Sequence, residues 1–340
     1  MRRALVWVAL ALALALAGCG KTTQVRESSL LAQGIAPPEQ SSGAPEPVRG
    51  GQSVRIAVVT HGQASSAFWA IVRNGIDAAA RQMDVSVTYR SPDTFSVPRM
   101  RTLIDEAVDS DPDGLVVSIP SPDLVGDIRA AISAKIPVVS INSGSDIAAR
   151  LGVLAHVGQL EDSAGFAAGQ RLADAGVHNA LCLNHEVGNA GPDQRCRSFA
   201  RAMRRAGGSS RVLAIDVQKI AETRRRLTDA LADGRVDGML SLNTGGAQAL
   251  LDTVRGAVAR RVTIATFDLS PEILAAVRAG RMRFAVDQQA YLQGYLPIVL
   301  LAQRARYGLF PESDVIPTGP SFVTRGTAAQ AIRLSQRGIR

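Results

Sequence analysis

The sequence predicts an α/β protein of two doubly wound parallel-sheet domains. Three observations carry that reading. Short β-branched runs alternate with segments whose apolar residues recur at helical spacing. The runs are apolar nearly throughout, as in strands buried on both faces of a parallel sheet wrapped by helices. The alternation then restarts half-way along a chain of 340 residues, a length that suits two domains of ordinary size.

Taken in order, 54–59 reads as a strand, 68–83 as a helix, 85–89 as a strand and 97–110 as a helix. Strand 114–119, helix 124–134 and strand 137–141 follow. The second series runs helix 163–175, strand 179–184, helix 194–206, strand 212–216, helix 220–232 and strand 238–242. Segments 246–258 and 262–266 continue it, and 271–279 is a further helix. Beyond these, 284–287, 291–307 and 321–323 suit a chain that crosses back to complete the first domain. The expected division is 53–157 with about 289–315 for the first domain, and 158–288 with about 316–340 for the second.

The start of the chain speaks to location. Arg2 and Arg3 precede an apolar run from Ala4 to Ala17, and Leu16-Ala17-Gly18-Cys19 follows. A basic start, a short hydrophobic stretch and small residues before a cut describe a secretory signal over 1–18. The run is too short for a membrane span of about 20 residues. Leu-Ala-Gly-Cys is similar to a bacterial lipobox, which implies cleavage before Cys19 and lipidation of that cysteine. Gly20 is not the aspartate that such lipoproteins often carry for inner-membrane retention. Residues 19–52, rich in Ser, Pro, Gly, Gln and Glu without apolar periodicity, read as a flexible tether. The expected address is the cell envelope, outside the cytoplasm, with a lipid anchor in a membrane.

A net charge of +8 invites a nucleic-acid reading, but the arginines are scattered over helix-like stretches. Only Arg224-Arg225-Arg226 forms a run of three, with no basic tail or aromatic-interleaved stripe, so no nucleic-acid partner is expected. Cys182 and Cys196 are an even pair in an oxidising compartment. They are either a disulfide or two buried thiols. A disulfide is expected because both flank one strand-to-helix loop, remote from any ligand chemistry. His61, His156, His178 and His185 lack ligand-type spacing, so no metal and no cofactor are expected.

Polar residues gather just past strand ends. Thr60-His61-Gly62-Gln63-Ala64-Ser65-Ser66 leads to Phe68-Trp69, and Asn142-Ser143-Gly144-Ser145-Asp146 follows the fourth strand. In the second half, 184–189 leads to Arg195, while Asn243-Thr244-Gly245-Gly246 and Phe267-Asp268 each follow a strand. Five such clusters at one topological position predict a hydrogen-bonding cleft at the carboxyl ends of the strands. Its amides, hydroxyls, guanidinium and carboxylate suit vicinal hydroxyls, and the Phe68 and Trp69 rings suit the C–H face of a sugar. Asp268 could instead cap the helix beginning near Pro271. Catalysis is not expected. Asp268 lacks a carboxylate partner, and no phosphate-binding fingerprint is present.

These residues, in this order, resemble the type I periplasmic binding proteins of sugar importers. The stretches that carry the likeness are Ile56-Ala57-Val58-Val59 through Phe68-Trp69, Pro112 to Val117, Ile136-Pro137-Val138-Val139, Arg195 with Phe199, Val236-Asp237-Gly238, and Thr266-Phe267-Asp268. The resemblance implies two domains closing on a sugar like a hinged jaw, joined by three chain crossings. It implies ring stacking by Phe68 and Trp69, with Phe267 as another lining aromatic. It also implies sugar hydrogen bonds from Arg195, Asn243, Asp268 and Gln288, beside the His61 and Asn142 of the strand-end clusters. The ribose-binding pattern has an Asp-Arg pair where Asn142-Ser143 stands here, which argues against ribose itself. Regulators of the lactose-repressor type share the fold but begin with a DNA-binding helix-turn-helix, and a signal segment occupies that place here.

The expected function is therefore a lipid-anchored, monomeric solute-binding protein that captures a sugar or sugar alcohol for an ABC permease in the inner membrane. The alternative is a ligand-sensing protein for a chemoreceptor or histidine kinase.

Overall fold

The computed structural model describes residues 53–62 and 66–340. The signal, Cys19, the tether and Gln63–Ser65 lie outside the described residues. Among those described, no helix is long and apolar enough to cross a membrane.

The first lobe carries strands β1 (Arg55–Val59), β2 (Ser86–Arg90), β3 (Gly114–Ser118), β4 (Val138–Ile141) and β5 (Ala155–Gln159). They alternate with helices α1 (Ala67–Gln82), α2 (Val97–Asp109), α3 (Val125–Ser133) and the short α4 (Ser145–Ala148). The second lobe repeats the pattern. Its strands are β6 (Asn179–Asn184), β7 (Ser209–Ala214), β8 (Gly238–Ser241), β9 (Thr263–Phe267) and β10 (Ala285–Asp287). Its helices are α5 (Glu161–Ala173), α6 (Ala190–Arg205), α7 (Ile220–Leu231), α8 (Thr244–Thr253), α9 (Gly256–Ala259) and α10 (Pro271–Arg278).

The sheets run β11-β5-β4-β3-β1-β2 and β12-β10-β9-β8-β6-β7, where β11 is Val315–Gly319 and β12 is Ser321–Val323. The pairings are parallel except β12 against β10. Each lobe is thus doubly wound, with apolar clusters on both faces of its sheet. Leu115 and Val117 face one cluster in the first lobe while Val116 and Val139 face the other. Leu181 and Leu183 face one cluster in the second lobe while Cys182 and Leu240 face the other.

The chain passes between lobes from β5 to α5, from β10 into α11 (Ala290–Tyr307), and from β11 to β12. The late helix α11 packs on the first lobe, burying Ile298 and Leu301 beside Val72 and Ile76 of α1. Gly294 sits where a Cβ would lie 1.9 Å from the Val72 carbonyl oxygen, so the α1–α11 contact requires glycine there. Helix α12 (Ala328–Ser335) packs on the second lobe. The last return differs from the expected position near 315. Val315–Gly319 stays in the first sheet, paired with β5, and the chain leaves it only at Pro320.

At Gly319 the three crossings meet, since a Cβ there would lie 3.1 Å from the Asp287 carbonyl oxygen and 3.2 Å from Gln159 Oε1. Glutamine and threonine side chains fill the junction. Gln293 Nε2 donates to the Gln288 carbonyl (3.1 Å) and Thr318 Oγ1 (3.2 Å), and Thr318 Oγ1 donates to the same carbonyl (2.8 Å).

Candidate ligand-binding cleft

The lobes face one another across the carboxyl ends of their strands and line a half-open cavity of about 50 Å³. His61, Phe68, Trp69, Asn142 and Ser143 wall it from the first lobe. His185, Glu186, Asn189, Pro192, Arg195, Leu242 and Asp268 wall it from the second, and Gln288 from the crossing between β10 and α11.

The second-lobe side is a chain of polar contacts. Arg195, on the second turn of α6, forms a two-pronged ion pair with Glu161 through Nε and Nη2 (2.6 Å for the second), and both residues are buried. Burial opposes its charge, but the Glu161 carboxylate beside it outweighs that and holds the guanidinium more firmly protonated than usual. Glu161 opens α5, and the two helices cross closely because Gly165 has no Cβ to meet the Arg195 carbonyl at 2.2 Å. Arg195 Nη2 also donates to Gln288 Oε1 at 2.8 Å, and Gln288 Nε2 donates to Asp268. The guanidinium carbon lies 4.9 Å from the centre of the Phe267 ring.

Asp268 follows β9 with φ 68°, and Asn142 holds the equivalent place after β4 with φ 62°. Both are aimed into the cleft from left-handed backbone, a region open to Asn and Asp at modest cost. Burial pushes the Asp268 carboxyl up to about 7, against the opposing pull of Arg195 and Gln288. Asn142 Nδ2 donates to Gln293 Oε1 at 3.0 Å, which leaves its carbonyl side toward Ser143 Oγ at 3.3 Å.

Across the cleft the jaws touch. His61 holds Ser118 Oγ at 2.9 Å through Nδ1, and its Nε2 accepts from Asn189 Nδ2 at 3.1 Å. Asn189 donates its other amide hydrogen to Glu186 (2.7 Å), while its carbonyl caps α6 through the Gly191 N–H (3.1 Å). The Ala190 N–H reaches the Pro120 carbonyl of the first lobe at 2.8 Å. The lobes are therefore in a closed arrangement. Burial, reinforced by His185 and Arg195, lowers His61 to about 3, and burial with Arg195 lowers His185 to about 3. Both imidazoles are neutral. Glu186 is raised by burial.

Trp69 is buried and Phe68 half-buried, their rings edge-to-face at 5.2 Å, and His61 packs edge-to-face on Trp69 at 5.0 Å. Seven of the nine residues expected at the cleft line the cavity. Two do not. Phe267 is fully buried beneath Arg195, a platform rather than a wall. Asn243 is the N-cap of α8, its Oδ1 accepting from the Gly246 N–H at 2.8 Å. Asp268 caps no helix, because Ser270 caps α10 through the Ile273 N–H at 3.2 Å. Cys182 and Cys196 form a disulfide, and Cys196 directly follows Arg195. The bridge thus ties α6 to β6 behind the site and is not remote from it.

A profile of the periplasmic binding protein domain matches residues 56–308. The chain belongs to that family. Members of this periplasmic family are extracytoplasmic solute-binding proteins, not enzymes, as the motifs from Ile56 to Asp268 imply. Among solved structures, a carbohydrate transporter from Acidothermus cellulolyticus 11B in complex with myo-inositol is similar at 30% identity and TM-score 0.80, covering 85% of this chain and 100% of its own. A periplasmic sugar-binding protein of an ABC sugar transporter from Legionella pneumophila is similar at 20% identity and TM-score 0.72, covering 78% and 99%. GanP, a glucose-galactose binding protein from Geobacillus stearothermophilus, has 22% identity and TM-score 0.70, covering 81% and 98%. No curated protein sequence matches the chain.

Proposed function

We propose that the protein captures an uncharged sugar or cyclic polyol between its lobes and hands it to an ABC permease. The observation that carries this reading is the chain Glu161–Arg195–Gln288–Asp268, set opposite the Phe68 and Trp69 rings. Vicinal hydroxyls need neighbouring donors and acceptors, which guanidinium, amide and carboxyl groups supply in sequence. The rings offer apolar faces to the ring carbons.

The charge count selects among ligands. Glu161 already balances Arg195, and the other carboxyls at the cavity, Asp268 and Glu186, have no cation of their own. An anionic sugar would meet no free positive charge and two carboxyls, so sugar acids and sugar phosphates are disfavoured. The likeness to a protein solved with myo-inositol makes cyclitols the first ligands to test. Because ligand groups come from both lobes, binding favours the closed form, which is the form a permease would recognise.

The Leu16–Cys19 motif supports lipid anchoring at Cys19, with residues 20–52 as the tether, and the protein acts as a monomer in this scheme. A thermal-shift screen against neutral sugars, cyclitols and their phosphates tests the proposal. A true ligand at 100 times its Kd adds about 2.7 kcal/mol of stability. Stabilisation by none of the neutral compounds, or by the phosphates alone, refutes it.

A further inference from the structure

A second chamber adjoins the first. With Arg340 in place it has a volume of only about 20 Å³, and it shares Phe68, Asp268 and Gln288 with the ligand cavity, so these three side chains form the partition. Ile71, Leu269 and Ala290 give it an apolar floor, and Asp287 with Arg340 makes its charged rim. Arg340 is 24% exposed and reaches in from the segment after α12, its Nε 2.9 Å from an Asp287 carboxylate oxygen. The same segment crosses from the second lobe to the first, where Asn74 Nδ2 of α1 donates to the Gly338 carbonyl at 3.2 Å.

Two arginines thus flank the ligand region in different states. Arg195 is buried and held on two prongs by Glu161, whereas Arg340 is about a quarter exposed and faces one Asp287 oxygen. The first cannot move without exposing a buried carboxylate. The second is only partly buried, but Asp287 beneath it is itself buried, so displacing Arg340 leaves that carboxylate without its cation and is opposed as well.

The geometry points to Arg340 as a specificity-determining residue that stoppers a second subsite, so that the protein accepts a single polyol ring and rejects one bearing an O-linked substituent beside Asp268. With Arg340 in place a substituent leaving the ring past the Asp268–Gln288 partition meets the guanidinium. With it removed, the apolar floor of Ile71, Leu269 and Ala290 would receive an aryl group or the face of a second ring. This inference rests on the polyol reading of the main cavity.

The test compares the wild type with Arg340→Ala and Arg340→Lys in two measurements. Amide hydrogen exchange on ligand-free protein reads whether Arg340 closes the chamber. Exchange over 68–71 and 287–290 should speed several-fold in Arg340→Ala and stay near wild type in Arg340→Lys. Titration with matched pairs reads selectivity: myo-inositol against an O-galactosyl myo-inositol, and D-galactose against phenyl β-D-galactoside. The preference for the bare ring should fall at least tenfold in Arg340→Ala and persist in Arg340→Lys. Unchanged exchange overturns the stopper, and so does an equal loss of affinity for both members of a pair. If no ring of either kind binds the wild type, the polyol reading fails, and the exchange result still decides whether Arg340 seals the chamber.

Discussion

Replacing Asp268 by Asn should stabilise the protein at alkaline pH while weakening ligand capture. The residue has φ 68°, and Asn adopts that backbone readily, so the variant is free of the strain that Ala would add. Its amide oxygen can still accept from Gln288. What changes is ionisation. Burial pushes the folded carboxyl up to about 7, from an ordinary value of 3.8. An acid with a raised folded pKa contributes fully to stability only below its unfolded pKa. The contribution is lost as pH rises, from about 4 until it levels off near 7. The shift corresponds to roughly 4 kcal/mol as an upper figure, reduced by whatever water the open cavity admits. The stability advantage of Asp268→Asn over wild type should therefore grow from pH 4 to pH 8, reaching several kcal/mol at pH 8. Calorimetric titration at pH 8 should show affinity falling roughly tenfold to a hundredfold, the worth of charge-assisted hydrogen bonds of about 1.5–3 kcal/mol. An advantage that is constant with pH, or a variant less stable than wild type at pH 8, would refute the assignment of a buried, ionising Asp268.

Other consequences follow from the same contacts. Glu161→Gln leaves the buried Arg195 guanidinium without its counter-charge and should cost about 3–5 kcal/mol in chemical unfolding. The same change should make the cavity tolerate an anionic sugar that the wild type rejects, a reversal visible by titration with paired neutral and phosphorylated ligands. Opening the Cys182–Cys196 bridge by double replacement with Ala should lower stability by about 3 kcal/mol, from a loop of 14 residues. Intact-mass analysis of non-reduced protein should find it two hydrogens lighter than the reduced form. Cys19→Ser should abolish membrane partitioning and acyl labelling, and a Ser variant that keeps its label would remove the lipid anchor from the account.

The sheets were legible because each strand carries its signal locally. Segments such as Val138–Ile141 and Gly238–Ser241 are buried throughout, and buried parallel strands are β-branched or aliphatic in consecutive positions. The strands without that signature escaped. Ala155–Gln159 interleaves His156 and Gly158 with its apolar residues, and Val315–Gly319 contains Pro317, which suits an edge strand with a register shift. Arg195, Asp268 and Asn142 could be placed because they stand beyond strand ends or on the helix that follows. Glu161 could not, because at the start of a helix it reads as an ordinary acidic first-turn residue. Only the close crossing of α5 and α6 brings it to Arg195. His185 and His61 looked unrelated at their distance in sequence, yet both wall one cavity. Phe267 misled for the opposite reason. It ends a strand as a lining residue would, but its ring lies under the guanidinium and not on the cavity wall. Asn243 shows how a strand-end amide is as readily spent on capping a helix as on facing a cleft.

If the proposed function holds, this cleft closes on a polyhydroxylated ring without charge. Calorimetric titration of the protein with neutral cyclitols and sugars, each paired with its own phosphate, tests it most directly. At least one neutral ring should bind, and its phosphate should bind at least a hundredfold more weakly. Phosphates binding as tightly as their parent rings, or no neutral ring binding, would contradict it.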